Sequence, residues 1–445
     1  MIDNFPLPNA SSFKVKQMTV VTKGGSIDIT NLFLELNIHD SLFLPTMSGS
    51  VVIREAVGLS GKLAFDGSEV LAIHIEKSQG SDIAAFKKAF RIYKQSARTN
   101  INGGSESYII HFCSDEFLFS FQQRVNQSYE STYSDVAGKI LKNYLKVVPN
   151  DFGIFDPSFG IKKIVVPNLT PLEAIEWCAK RAVDIRNSPN FLFYRNRLGF
   201  NFESLSSLLV RDTILDIRFE AKNQNKSNLY ELSAARHFEP IVQNDSISAI
   251  MGGVNAGTFV GFDPMTRNFG AKSLNFADQY DKMDHANKGA KLTEVVNRDG
   301  TSTLTTFDSR KVVSLFGSTR KDSAYIKAND PTSLSKVENQ EDFVFQRKAI
   351  LTNLTNSRIK LVMPGNFHLT SGFNVNLAAP GFQKSKIGAE KDLSVDGKYL
   401  IIASRHIITY NKHETVIEIA RDSTNDKSTY VSSPDQNRML QGFTI

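Results

Sequence analysis

The sequence has little from which to build a cysteine-based or metal-based site. Only two of its 445 residues are cysteines, Cys113 and Cys178, and neither stands in a Cys-x-x-Cys pair or at a Cys/His ligand spacing. Structural zinc and a disulfide framework are therefore not expected. No stretch approaches the ~18 apolar residues of a membrane span, and residues 1–8 lack the basic and apolar regions of a signal peptide. We expect a soluble chain made in a cytoplasm.

A strong charge of either sign is also missing. The chain has 52 Lys and Arg against 46 Asp and Glu, a net charge of +6, and the basic residues are scattered along it. Because nucleic-acid binders concentrate basic residues in a stripe, specific nucleic-acid binding is not expected. The hydrophobic fraction of 41% and the charged fraction of 22% are those of a globular protein. A chain of 445 residues predicts three or four domains, or one domain with large insertions.

Catalytic patterns are absent as well. The eight histidines show no ligand-like spacing with carboxylates, and there is no Gly-x-Ser-x-Gly elbow. The glycine-rich run 252–257 lacks the Gly-Lys-Ser/Thr ending of a phosphate loop. Glu173 and Glu176 are close in sequence, but a helix cap accounts for Glu173, and Glu176 falls on the polar side of the same helix. We predict no catalytic residue, no cofactor and no metal site, and therefore no enzyme.

The sequence does contain strand patterns. Residues 13–113 alternate apolar and polar side chains in short runs separated by turns, which predicts an antiparallel barrel or sandwich. From 115 to about 220 the pattern is mixed, with a helix that Ser134 would cap. A second helix opens at Thr170-Pro171-Leu172-Glu173, where Thr170 is the N-cap and Glu173 closes a capping box. An aromatic hairpin of residues 191–194 and 198–202 follows.

The last third of the chain contains a β-meander. Its first strand alternates Ile359, Leu361 and Met363 with other side chains and ends at Pro364-Gly365. Ser371-Gly372 turns the chain, and an apolar strand face resumes at Phe373. Residues 265–340 are polar and irregular, so we interpret them as an insertion that ends before a helix-like run at 345–354.

This meander, with its Pro-Gly-Asn break and its Gly-led second strand, resembles the hub domain of contractile tails. The closest resemblance is to the central baseplate hub protein of contractile-tailed phages, a family related to the amino-terminal half of type VI secretion spike proteins. The segment 36–53, with its Asp-Ser-Leu step, and the turn Asp66-Gly67-Ser68-Glu69 resemble the first domain of that family. The Pro-capped helix and the aromatic hairpin resemble its second domain.

The resemblance implies an α+β fold that is mainly β, with two antiparallel, tube-like β-barrels. Residues 1–114 would form the first barrel, 115–225 an α/β domain, and 226–264 with 341–425 the second barrel. Residues 265–340 would be inserted in the second barrel, and 426–445 would be a flexible tail. In this family two similar barrels per chain, in a trimer, make a six-fold-like ring.

The resemblance also implies a function. The chain would be a structural virion protein, the homotrimeric baseplate hub that connects the hexameric tail tube to the trimeric cell-puncturing spike and forms part of the central channel. Its partners would be the tail tube protein, the spike and other baseplate (wedge) proteins, with DNA only in transit and no stable membrane association. It would reside in the phage tail baseplate after synthesis in the host cytoplasm. Two alternatives stay open: the hub part of a type VI or other contractile injection spike, and a tail-associated cell-wall hydrolase.

Subunit contacts are expected where strands are apolar at successive positions. Residues 399–403 and 406–410 have this pattern, which indicates a strand covered on both faces. A neighbouring chain and a helix of the same chain would both explain the cover. In the first barrel, four apolar residues are predicted to line one strand face. The candidate subunit interface therefore comprises Leu32, Leu34, Leu36, Ile38, Ile402, Ile408 and Tyr410.

Overall fold

The computed structural model describes residues 13–62, 66–77, 86–101, 104–186, 188–219, 233–242, 245, 247, 256–263, 267–275, 280, 283–288, 310–315, 344–385, 388–391 and 395–425. The predicted tail and most of the predicted insertion lie outside these residues. None of the described helices is long and apolar enough to cross a membrane.

The first β segment consists of successive antiparallel strands. Its elements are β1 (Phe13–Thr22), β2 (Gly25–Asp28), β3 (Phe33–Ser41), β4 (Ser48–Glu55), α1 (Leu59–Lys62), β5 (Val70–Lys77), β6 (Phe86–Ile101) and β7 (Ser105–Cys113). Alternate side chains of these strands, such as Val20, Val51 and Phe112, are fully buried in one common core. The period-two alternation of the sequence therefore predicted this segment correctly.

The middle segment mixes helices and strands. Its elements are α2 (Asp115–Phe121), β8 (Ser128–Ser131), α3 (Tyr133–Asn143), a 3₁₀ turn (Pro149–Asp151), β9 (Phe152–Phe155), β10 (Lys162–Val165), α4 (Pro171–Arg181), β11 (Phe191–Asn196), β12 (Gly199–Ser204), α5 (Leu205–Val210) and β13 (Thr213–Arg218). The predicted hairpin is β11–β12, and α4 has the predicted capping box. The cap of α3 is Thr132 instead of Ser134, because the Thr132 hydroxyl accepts the Asp135 N–H at 3.2 Å.

The third segment returns to strands. Its elements are β14 (His237–Val242), β15 (Ala256–Asp263), β16 (Asn268–Asn275), β17 (Arg310–Leu315), α6 (Val344–Thr355), β18 (Arg358–Pro364), β19 (Asn374–Ala378), β20 (Pro380–Ser385), β21 (Gly388–Lys391), β22 (Gly397–Thr409) and β23 (His413–Ala420). Strand β15, which the sequence placed in the second barrel, pairs with β16 and β17 in a separate three-stranded sheet. The helix predicted at 345–354 is α6.

One long sheet joins the first and third segments. Its strand order is β14-β18-β23-β22-β3-β4-β7-β6-β5-β1-β2, so the two segments meet where β22 pairs antiparallel with β3. The contact runs from the pair Ala403–Ser41 to the pair Thr409–Glu35. The mainly β, α+β class is thus confirmed. Among the described strands the path stays open, and no closed barrel forms.

Strand β22 is buried on both faces, as its apolar run predicted. Tyr399 and Ile401 lie in the core of the third segment, beside side chains of β18, β19 and β23. Leu400 and Ile402 lie in a different core, formed with α5, α6 and β11. Helices and a hairpin of the same chain therefore cover the second face. Of the two explanations for the apolar run, a neighbouring chain or a helix of the same chain, the second applies to Leu400 and Ile402.

Candidate functional site

The three segments meet at the turn Thr370-Ser371-Gly372, in the motif from which the family resemblance was drawn. The carboxylate of Asp40, at the end of β3, accepts the Thr370 hydroxyl at 2.6 Å and the Ser371 N–H at 2.9 Å. Asp40 is 4% exposed. Burial raises its pKa above the ordinary value, although these donors act in the opposite direction. The first segment is thus bound to the third through a buried carboxylate.

The middle segment binds the same turn from the other side. The Asn196 side chain donates to the Ser371 carbonyl at 2.9 Å, and Arg211 donates to the Gly372 carbonyl at 2.7 Å. Gly372 has a φ of +89°, and a Cβ there would lie 2.1 Å from the Tyr194 hydroxyl. Only glycine fits this position, because both the backbone conformation and the neighbouring ring exclude a side chain.

A buried polar network supports this contact. Glu203, with 0% of its surface exposed, accepts the Tyr194 hydroxyl at 2.6 Å and also pairs with Arg211. Burial raises the pKa of Glu203, while Arg211 acts against this, and burial together with Glu203 raises the pKa of Tyr194 well above its ordinary value. Such perturbed groups also occur in catalytic sites. Here their hydrogen bonds connect β11, β12 and α5 to the turn, which is a structural role.

A second ionic contact joins the first segment to the middle one. Arg195 on β11, which is 6% exposed, pairs with Glu116 of α2 and packs over the Phe200 ring at 4.5 Å. The Asp151 carboxylate forms a salt bridge with Lys88 Nζ of β6 at 2.9 Å, and its other oxygen lies 3.7 Å from the Arg195 guanidinium. This cluster fixes the hairpin against the first segment with charges that are mostly buried.

Gly365 is as crowded as Gly372. A Cβ on Gly365 would lie 2.1 Å from the His413 ring. That ring hydrogen-bonds His406 at 3.3 Å, and Phe367 packs against both imidazoles with centroid distances of 4.6 and 4.8 Å. Neither glycine can therefore take a side chain without a shift of its neighbours. The strands next to them, β18 and β19, do not pair with each other.

The predicted interface residues fall into two groups. Leu36, Ile38 and Ile408 are 0% exposed in the core of the first segment, and Ile402 is 3% exposed under the helices. These four side chains are covered by their own chain. Leu32 is partly buried against the first core. Their place in a subunit interface stays a prediction.

Leu34 and Tyr410 form the second group. They are 48% and 82% exposed, and each lies one residue beyond the last β3–β22 pair, Glu35–Thr409. Val57, 62% exposed, follows β4 at the same end of the strands, where Arg54 N–H bonds the Leu32 carbonyl. We call Leu34, Val57 and Tyr410 the apolar end patch.

The described residues contain no group of three or more His, Cys, Asp or Glu that could hold a metal ion. Glu173 accepts the Thr170 N–H at 3.0 Å, as the capping box requires, and Glu176 pairs with Lys180 at 2.7 Å. Both cysteines are buried, and burial raises the pKa of Cys113 to about 12. A thiol with that pKa is a poor nucleophile.

Sequence reasoning missed the buried charges. Asp40 is the first residue of the Asp-Ser-Leu step on which the family resemblance partly rests. That motif drew attention to the segment 36–53, but it gave no indication that Asp40 is buried and bonds a distant turn. Glu203 and Arg195 gave no signal, because each lies in a short strand whose alternating neighbours are all buried. A strand buried on both faces with a charged residue in it is the one pattern that would have pointed to them.

Comparisons with known proteins agree with the motifs. No protein-family model matches the chain. The probable baseplate hub protein gp334 of Vibrio phage KVP40 is 22% identical over 256 residues, which cover 50% of this chain and 57% of that protein. The chain thus matches little more than half the length of this relative.

A solved tail protein shows the same kind of fold. The tail protein from Neisseria meningitidis MC58 is similar with a TM-score of 0.51 and 12% identity, over 92% of this chain and 97% of that one. The 43 kDa tail protein of prophage MuSo2 from Shewanella oneidensis has a TM-score of 0.48 and 8% identity, over 92% and 98% of the two chains. The resemblance is confirmed: the chain is similar in sequence to a phage baseplate hub protein and in fold to a tail protein.

Proposed function

We propose that this chain is the central hub of a contractile phage baseplate, a structural protein that joins the tail tube to the spike. The observation that carries the proposal is the long sheet, in which two β segments with separate cores are joined edge to edge through β3 and β22. Two such segments per chain, in three copies, give six similar faces. That number suits a hexameric tube on one side and a trimeric spike on the other.

The two β segments are the proposed tube-like barrels, 1–114 and 226–264 with 341–425. Each has its own core lined by alternate residues of successive antiparallel strands, which supports the assignment. The pairing of β15 outside the long sheet supports an insertion that begins before Ala256, earlier than the sequence pattern indicated.

The mechanism is symmetry adaptation by a rigid body, in which no bond is made or broken. Rigidity comes from the turn 370–372, because Asp40 binds it from the first segment while Asn196 and Arg211 bind it from the middle one. Polar groups that are hydrogen-bonded across segments in a buried site resist relative movement, since a shift of one segment leaves them unpaired.

We assign the channel wall to the side of β14, β18 and β23 that faces away from the core. On that side the charges are paired between neighbouring strands: Lys360 with Glu239 at 2.9 Å, and Arg358 with Glu418 at 3.0 Å. Paired charges present almost no net field to a passing polyanion, so DNA in transit is neither held nor repelled.

The apolar end patch is the proposed contact between chains, alone or with the tube, spike or wedge proteins. Large exposed apolar side chains gathered at one end of a sheet are typical of an interaction surface. The protein would act in the tail baseplate of a virion after synthesis in the host cytoplasm.

Light scattering on the purified chain, alone and co-expressed with a spike protein, tests this function. We expect a mass of three times 49.6 kDa in at least the second case. A strict monomer in both experiments would contradict the proposal.

A zymogram on peptidoglycan separates the hydrolase alternative, since a cleared band is expected only of an enzyme. Capture of a phage tube protein, and not of type VI tube protein, separates the phage hub from a type VI spike.

A further inference from the structure

His285 is held between two acceptors. Its Nδ1 lies 2.7 Å from the Asp422 carboxylate, and its Nε2 lies 2.7 Å from the Tyr280 carbonyl oxygen. The imidazole also stacks on the Tyr280 ring, with 3.9 Å between centroids. A carboxylate and a carbonyl can only accept, so both ring nitrogens need a hydrogen, and only the imidazolium has two.

The contact fastens Tyr280 and residues 283–288, part of the predicted insertion, to the body of the protein. Asp422 follows β23, and its carboxylate also accepts the Ala286 N–H at 3.1 Å. Its carbonyl accepts the Tyr280 hydroxyl and the Asn353 side chain of α6, both at 3.1 Å. Met283, Asp284 and His285 also line a cleft, together with apolar side chains of α5 and α6, Leu205, Leu209 and Ile350.

The charges around His285 favour its protonated form. Asp284 is the nearest other carboxylate, and it pairs with Arg186 of the α4–β11 loop at 2.8 Å. From β22, Lys398 presents its backbone carbonyl to Asn287. The groups that α5 and α6 bring to the cleft, Ser206 and Asn353, are neutral. Burial alone lowers the pKa of His285, but the Asp422 carboxylate, the Tyr280 carbonyl and Asp284 outweigh it and raise the pKa above the ordinary value.

We propose that the His285–Asp422 pair is a pH-sensitive clamp, which fastens Tyr280 and residues 283–288 to the end of β23 in mildly acidic solution and loosens as the pH rises. A neutral imidazole has one N–H, so deprotonation leaves two lone pairs facing each other in one of the two contacts. The contribution of the clamp is complete below the unfolded-state pKa of about 6.5 and is lost as the pH rises through the higher folded-state pKa. This inference does not depend on the proposed hub function.

Hydrogen exchange of the full-length chain, measured by mass spectrometry from about pH 5.5 to about pH 8.5 and corrected for the intrinsic pH dependence of exchange, tests the clamp. We expect protection of the peptide covering 280–288 to fall at least about fivefold over this range, while peptides of β4 stay unchanged. In the variant His285→Gln this pH-dependent fall in protection should disappear, because glutamine does not titrate. The matched control, His237→Gln, changes an exposed histidine on β14 and keeps the step.

A flat profile in the unmodified protein, or a step that survives in His285→Gln, would overturn the proposal. Circular dichroism shows whether the variant is folded. If it is not, imidazole ¹⁵N NMR of the unmodified protein decides the matter: a His285 pKa below the ordinary histidine value contradicts the clamp, and one above it supports the clamp.

Discussion

Gly372 has the least freedom of any residue at the three-segment turn. Its positive φ excludes most side chains, and the Tyr194 hydroxyl fills the space that a Cβ would need. Tyr194 cannot move away without leaving the buried Glu203, whose carboxylate it bonds. A side chain at Gly372, in the third segment, would therefore displace Tyr194 and break its hydrogen bond to the buried Glu203 carboxylate in the middle segment.

We predict that Gly372→Ala lowers the free energy of unfolding by about 2 to 5 kcal/mol. Roughly 1 to 2 kcal/mol comes from the left-handed backbone, and the rest from displacing a buried hydroxyl from its partner, at about 1 to 3 kcal/mol. Gly67→Ala is the matched control, since Gly67 has a φ of +88° and no atom near its Cβ position. Denaturant midpoints of both variants measure the difference, and equal losses would refute the steric part.

Asp40 gives a prediction about pH. Its pKa is raised by burial, so ionisation destabilises the fold as the pH rises from below about 3.9 through the folded-state value. Asp40→Asn keeps an acceptor for the Ser371 amide and offers a donor to Thr370. We expect its melting temperature, relative to the unmodified protein, to increase between about pH 4 and pH 7. Asp66→Asn should show the opposite trend, with most of the change at about pH 4 and below, because hydrogen bonding to Lys23 lowers the pKa of that exposed carboxyl. The same trend in both variants would contradict this account.

The sequence predicted the glycines better than the charges. Pro364-Gly365 and Ser371-Gly372 are local patterns, and a turn between apolar strands requires such residues. The burial of Asp40 depends on Thr370, 330 residues away in the chain. No local pattern contains that information.

Among the elements, α4 shows how local chemistry determines where a helix begins. Thr170 and Glu173 satisfy backbone N–H groups that the first turn leaves without partners. We predict that Thr170→Ala destabilises the protein by about 1 kcal/mol, whereas Thr170→Ser, which keeps the hydroxyl, is nearly neutral. Thermal unfolding followed by circular dichroism compares them. A serine variant as unstable as the alanine variant would mean that lost packing, and not the cap, is responsible.

Strand β3 shows where periodicity fails. The sequence placed Leu32, Leu34, Leu36 and Ile38 on one face, but the register with β4 shifts between Phe33 and Glu35. One extra residue at a bulge reverses the side on which the preceding residues lie, so Phe33 is buried and Leu34 is exposed. Apolar residues occupy both positions, and the alternation alone could not locate the bulge.

At the scale of the whole molecule, the apolar end patch can be tested without unfolding the chain. We predict that Leu34→Asp and Tyr410→Asp fold normally and fail to assemble, because both side chains are exposed in the single chain. Ile185→Asp, at a residue 81% exposed in the middle segment, is the control and should assemble. Light scattering gives the mass and circular dichroism the fold. Trimers formed by both patch variants would remove the patch from the interface.

Ile402→Asp and Ile408→Asp, in contrast, are expected to unfold the chain. Both residues lie in cores of their own chain, and an unpaired buried charge costs several kcal/mol.

The mainly β class and the three segments followed from the sequence pattern and the resemblance. The edge-to-edge pairing of β3 and β22 did not, because the alternation of a strand does not identify its partner.

The pairing of β3 with β22 also has a consequence for biosynthesis. Strand β3 ends at Ser41 and its partner begins at Gly397, so about 350 residues must be translated before the two can pair. At 5 to 20 residues per second the free edge of β3 waits roughly 20 to 70 s, with backbone groups exposed that could pair with any other nascent strand. Slower translation or crowded expression should therefore increase aggregation before it affects the stability of the finished protein.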